Sequence, residues 1–206
     1  MLTRQLSRSI SRALSSALDG ALGIFKNLIY LSPTSSGHYT LGADSVLTTA
    51  YKLGISTVLP TASTTYALYG RASSATDYLK ILSTGYLSLD VDGTVVTSTT
   101  LATKDSKFRE YSVTLDGNDF VFRENTAVVS TVTNATAAAK ALTLNLIANS
   151  NGAGFYQGTL ADAVIGSLKF GLNELTANTE TNNGVTLTYQ NIGTGTDVRD
   201  TYELTD

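Results

Sequence analysis

From residue 66 onward, short segments of alternating apolar and polar residues are separated by tight-turn residues almost without pause. That cadence leaves room for little except an antiparallel β fold. Tyr66-Ala-Leu-Tyr-Gly-Arg71 and Tyr78-Leu-Lys-Ile-Leu82 read as strands parted by a Ser/Thr/Asp-rich turn. Tyr86-Leu-Ser-Leu-Asp-Val91 alternates, meets Asp92-Gly93 and resumes as Thr94-Val-Val-Thr97, a hairpin signal. A second hairpin is Glu110–Leu115, turning at Asp116-Gly-Asn-Asp119 into Phe120-Val-Phe-Arg123. Further strands are expected at Ala141–Ile147, Gly158–Ile165, Val185–Tyr189 and Thr201–Leu204. The Ala-rich stretch Thr133–Lys140 reads as a short turn or helix. Many short strands at regular spacing favour a sandwich. The 42% hydrophobic content is enough to fill its core.

The N-terminal 24 residues follow another rule. Leu2, Leu6, Ile10, Leu14, Leu18 and Leu22 recur every fourth position, with Arg4, Arg8 and Arg12 midway between the first of them. On an α-helix that stripe drifts about 40° per step, whereas on an extended chain it mixes apolar and cationic side chains on one face. Helix is the preferred reading, with Gly20 and Gly23 ending it. The interrupting Arg and Ser residues rule out the continuous apolar run of a signal peptide, and no segment is long and apolar enough to predict a membrane span. Residues 1–31 hold four basic residues (Arg4, Arg8, Arg12, Lys26) against Asp19, or +3, so the remainder carries −6 of the total −3. Such a balance gives no overall basic field for nucleic acid. It suits an arm that meets an acidic surface. Packing on its own domain, docking on a partner and bundling with copies of itself all remain open for this arm.

The order of the strands carries a resemblance. Lys107–Phe122, with its Val-Thr-Leu-Asp-Gly turn entry, resembles the central hairpin of laminin-G-like domains. Tyr86–Gly93 is similar to the strand before it, and Phe155-Tyr-Gln-Gly-Thr-Leu-Ala-Asp-Ala-Val164 looks like that family's F-x-G-x-L-x-D-V signature. The resemblance covers about residues 40–206 and implies a concanavalin-like jelly roll used for carbohydrate or protein binding, with Leu160 and Val164 pointing into the core. Separately, the tetrads Leu2-Thr-Arg4, Leu6-Ser-Arg8 and Ile10-Ser-Arg12 look like the start of structural proteins of tailed bacteriophages.

Little in the sequence supports catalysis. Cysteine is absent, which excludes disulfides and thiol chemistry. His38, the sole histidine, lies beside a Gly/Ser/Pro-rich connector and reads as a surface or turn residue. Glycoside hydrolysis needs a pair of carboxylates flanking the bond, and none of Glu110, Glu124, Glu174, Glu180 and Glu203 has an acid two residues away. Asp90 and Asp92 are the calcium candidates, since carboxylates at i,i+2 share a strand face and laminin-G-like domains sometimes hold calcium at a sheet rim. The third ligand and terminal Glu of a calcium loop are missing, and a plain hairpin turn accounts for the same residues. Tryptophan is absent, so sugar contacts would fall to tyrosines and polar loops; Asn151 and Tyr156, in the Gly-rich loop 149–156, are the candidate contacts.

The expectation is an all-β, antiparallel jelly-roll β-sandwich, concanavalin-like, over 45–206. An α-helical or extended arm (1–24) and a transition (25–44) precede it. Functionally it is a non-enzymatic virion protein, a capsid decoration protein or short tail fibre, docked by Leu2, Arg4, Leu6, Arg8, Ile10, Arg12, Leu14, Leu18 and Leu22. Its partners would be other virion proteins, copies of itself and glycans, with no nucleic acid and no cofactor. It would be made in the host cytoplasm and exposed on the virion. The alternative is a soluble carbohydrate-binding module.

Overall fold

The computed structural model describes residues 28–31, 38–59, 64–150, 154–155, 158–171, 179–190 and 201–202. The chain opens with β1 (Leu28–Leu31), β2 (His38–Leu47), β3 (Tyr51–Val58) and β4 (Tyr66–Gly70). The expected hairpins follow as β5 (Tyr78–Ile81), β6 (Tyr86–Val91) and β7 (Thr94–Leu101), then β8 (Phe108–Asp116), β9 (Asp119–Glu124) and β10 (Ala127–Thr133). After a single-turn helix, α1 (Ala135–Ala138), come β11 (Leu142–Ile147), β12 (Asn149–Ser150), β13 (Gly154–Phe155) and β14 (Gly158–Ile165). The last elements are β15 (Leu168–Gly171), β16 (Thr179–Asn182), β17 (Val185–Gln190) and β18 (Thr201–Tyr202).

These strands form two antiparallel sheets. One runs β10-β9-β8-β3-β14-β1-β18, with β15 also on β14; the other runs β16-β17-β2-β11-β4-β5-β6-β7. Period-2 alternation decides which side chains go inside. In β9, Phe120, Phe122 and Glu124 turn inward while Asp119, Val121 and Arg123 turn outward. Leu53 and Ile55 of β3 and Tyr111 and Val113 of β8 meet Leu79, Leu87, Leu89 and Leu144 from the other sheet in one continuous core. Along one side the edge strands β7 and β10 approach, and the Thr99 N–H donates to Ser130 Oγ at 2.9 Å. Asn134 caps α1 by accepting the Ala137 N–H at 3.0 Å.

Tyr69 ties the two sheets together. It leaves β4, crosses the core fully buried, and its hydroxyl donates to the Gly54 carbonyl while accepting the Val164 N–H at 3.2 Å. Gly54 and Val164 are partners on β3 and β14, so the hydroxyl is bound at the junction of those two strands. Burial pushes the Tyr69 phenol well above its ordinary range.

Three expectations need correction. His38 is 3% exposed rather than on the surface, because it begins β2 and pairs with Gln190 of β17. The stretch 25–44 supplies β1 to one sheet and the first half of β2 to the other, so the sandwich draws on residues ahead of 45. Val164 faces outward and Ala163 and Ile165 fill the core instead. A register shift against β3 between Leu160 and Asp162 places Asp162 and Val164 on the outer face.

Candidate functional site

The outer face of the first sheet is polar and is centred on β3. Lys52, Gly54 and Ser56 point outward from β3, beside Glu110 and Ser112 of β8 on one side and Asp162 and Val164 of β14 on the other. All of these but Ser112, together with Lys169 of β15, line a cleft of about 360 Å³. Gly54 makes this possible. A Cβ there would lie 3.2 Å from Glu110 Oε1 and 3.4 Å from both Lys52 Cε and Ser112 Cβ. Glycine inside a strand costs stability and commonly marks a place where another group approaches closely. Here the Lys52 stem passes over it, and Lys52 Nζ donates to Glu110 Oε1 at 2.6 Å. Both side chains remain partly exposed, so this pair contributes less than about 1 kcal/mol. Beside it, Ser112 is 1% exposed and its Oγ has no hydrogen-bond partner among the described residues. Glu110 itself is held from behind, its N–H donating to Asn125 Oδ1 at 3.0 Å and its carbonyl accepting the Asn125 N–H at 2.6 Å.

A second cleft of about 550 Å³ opens at the adjoining rim, where the β2–β3 and β14–β15 turns meet the end of β8. Its lining is mostly uncharged, including Val46, Leu47, Thr48, Thr49 and Ser167, and Val46 is 58% exposed. Lys52 lines both clefts.

Two other carboxylates at the first sheet, Asp105 and Glu124, do structural work. Arg109 Nε and Nη2 grip Asp105 Oδ1 and Oδ2 at 3.0 and 2.7 Å, and Nη1 donates to Glu124 Oε1 at 2.6 Å. Glu124 Oε2 accepts the Thr103 N–H at 2.8 Å, and the Tyr111 hydroxyl donates to the Thr103 carbonyl. This cluster fastens the β7–β8 connection onto the sheet. The Arg109 fork, aided by the Lys107 N–H, holds the Asp105 carboxyl down from 3.8 to about 2. A carboxyl with a lower pKa in the folded state contributes stability that is complete above its unfolded value and lost as pH falls through the folded one. Stability is therefore expected to decline between about pH 4 and pH 2, with that part of the decline absent in Asp105→Asn. Urea midpoints measured across this range check it.

Asp90 and Asp92 lie at the β6–β7 hairpin. Asp90 Oδ1 accepts the Gly93 N–H at 2.7 Å, and the Asp92 N–H donates to Asp77 Oδ1 at 3.0 Å. Asp92 and Gly93 have φ of +45° and +79°, the left-handed pair of a tight hairpin turn. Lys140 Nζ donates to the Asp92 carbonyl at 2.6 Å and lies 3.9 Å from Oδ2. An oxygen cage for calcium does not fit this arrangement: Asp90 is engaged with the turn, Lys140 supplies the local positive charge, and no group of three metal-ligating side chains occurs among the described residues. The arm residues Leu2, Arg4, Leu6, Arg8, Ile10, Arg12, Leu14, Leu18 and Leu22, and the loop residues Asn151 and Tyr156, lie outside the described residues.

No protein-family model matches the chain, and no curated protein matches its sequence. Solved structures match its fold. The heptameric SAP-like pentraxin from Limulus polyphemus superposes with a TM-score of 0.50 at 13% identity, over 68% of this chain and 74% of that one. The fold is a concanavalin-like jelly roll. More distant matches to this jelly roll include a carbohydrate-binding module from Bacillus subtilis (TM-score 0.39, 9% identity, 63% of this chain and 79% of that one). Chicken galectin 2 also matches, with a TM-score of 0.36 at 12% identity over 68% of this chain and 96% of that one.

The residues that build the β3 face of the jelly roll were not singled out in the sequence. They come from four strands spread between Lys52 and Lys169, so no local spacing joins them. The available signal was the Tyr51-Lys-Leu-Gly-Ile-Ser alternation, in which one face is apolar and the other reads Lys, Gly, Ser.

Proposed function

We propose that this chain is a non-enzymatic structural protein of a phage virion, a capsid decoration protein or short tail fibre, whose jelly roll adheres to glycans on a host surface. The observation that carries the adhesive half is the cleft over Gly54, where two lysines and two carboxylates surround a floor without a side chain. Donors and acceptors in equal measure suit hydroxyl groups, which both donate and accept.

The attachment half rests on the sequence of residues 1–24. Burying six apolar anchors contributes on the order of 1.5–3 kcal/mol each before ordering costs, while arginine pairs at the rim add less than about 1 kcal/mol each. The arm seats in a groove of the assembly or bundles with its own copies, Arg4, Arg8 and Arg12 facing acidic groups. The protein is made in the host cytoplasm and ends on the virion surface. The test is incorporation: particles grown with Leu6→Asp/Ile10→Asp should lack the protein, although circular dichroism of the purified variant still reports a folded β domain. Normal incorporation of that variant, or absence of the unmodified chain from particles, would sink the attachment reading and leave a soluble carbohydrate-binding module.

A further inference from the structure

The two clefts on the first sheet are not separate places. Lys52 is a wall of each, and from it the outward positions of β3 continue through Gly54 to Ser56. At roughly 3.3 Å per residue the strand part of that path is about 13 Å long, and the rim cleft at the β2–β3 turn extends it. Building on the glycan-adhesion reading above, we infer that the two clefts form one groove that takes an extended, uncharged, multi-unit oligosaccharide laid along β3.

Four observations select that ligand. The groove is charge-balanced, Lys52 and Lys169 against Glu110 and Asp162, so it offers no net attraction to a sulfated or phosphorylated chain. Its sheet half is rich in donors and acceptors and floored by Gly54. The rim half turns uncharged, with exposed Val46 beside Thr48 and Thr49, which suits the apolar faces of sugar rings. A peptide is disfavoured because β3 pairs with β8 along one side and β14 along the other, leaving no backbone edge to extend.

Behind the floor, the Tyr69 hydroxyl holds the Gly54 carbonyl and the Val164 N–H, so the groove is built on a fixed junction. Lys52 stands where the two halves join. Its ammonium can exchange Glu110 for a ligand hydroxyl at little cost, because the exposed pair is weak.

The test is calorimetric titration of the full chain with neutral gluco-, manno- and galacto-oligosaccharides of one to six units, and with a sulfated hexasaccharide as the charge control. Affinity for at least one neutral series should rise tenfold or more from disaccharide to hexasaccharide. Thr49→Arg, across the rim half, and Gly54→Val, across the sheet half, should each cost the hexasaccharide at least tenfold and the disaccharide less in one of the two. Lys52→Met, at an exposed position, decides the matter if Gly54→Val does not fold, and should also weaken the hexasaccharide severalfold. Hexasaccharide binding that all folded variants retain would overturn the groove while leaving glycan adhesion standing. A flat dependence on length, or binding of the sulfated chain alone, would overturn the extended neutral ligand. No binding of any probe would overturn both readings.

Discussion

Tyr69→Ala is expected to lower the free energy of unfolding by about 4 kcal/mol, within the range for removing a fully buried aromatic side chain. The ring spans the core from β4 to the β3–β14 junction, so its loss leaves a cavity between the sheets as well as two backbone groups without their partner. Tyr69→Phe separates the two causes. It keeps the ring and removes only the hydroxyl, leaving the Gly54 carbonyl and Val164 N–H short of a hydrogen bond, a loss of about 2 kcal/mol. Urea unfolding of the three proteins measures both steps. A Phe variant as stable as the parent would mean that β3 and β14 satisfy these groups without help from the opposite sheet.

Arg109→Ala should cost about 2 kcal/mol, because removing one partner of a partly buried ion pair leaves the other short of a charge-assisted hydrogen bond. Glu124 is 8% exposed and would keep only the Thr103 N–H. Arg109→Lys restores the charge without the fork that grips Asp105 through two nitrogens, so it should recover part of the loss. The acid-side decline attributed to Asp105 should shrink in both variants, since Arg109 is its main cause. A cost below 1 kcal/mol for Arg109→Ala would show that water reaches Glu124 and that the cluster is not holding the β7–β8 connection.

The hairpins were legible because their turns are chemically explicit. Asp92-Gly93 and Asp116-Gly117 stand between alternating runs, and β6–β7 and β8–β9 follow that reading closely. β3 was harder to see although it lies at the centre of its sheet. Its apolar face is only Tyr51, Leu53 and Ile55, and Gly54 in the middle resembles a break rather than the floor of a cleft. β10 escaped for another reason: most of its side chains are exposed, so inward and outward positions differ little in polarity. Val164 was assigned to the wrong face because a single register shift reverses every later position of a strand. His38 looked exposed from its Gly/Ser neighbours, yet β2 begins with it between two paired strands. The cleft itself was not legible at all, since long-range pairing alone brings β8, β3, β14 and β15 side by side.

The measurement that bears most directly on the central claim is titration of the full chain with neutral gluco-, manno- and galacto-hexasaccharides, followed by assay of the same samples for newly formed reducing ends. The account predicts saturable binding to at least one of them with no increase in reducing ends. Absence of binding across all three, or cleavage of any, would contradict a non-enzymatic glycan-binding jelly roll.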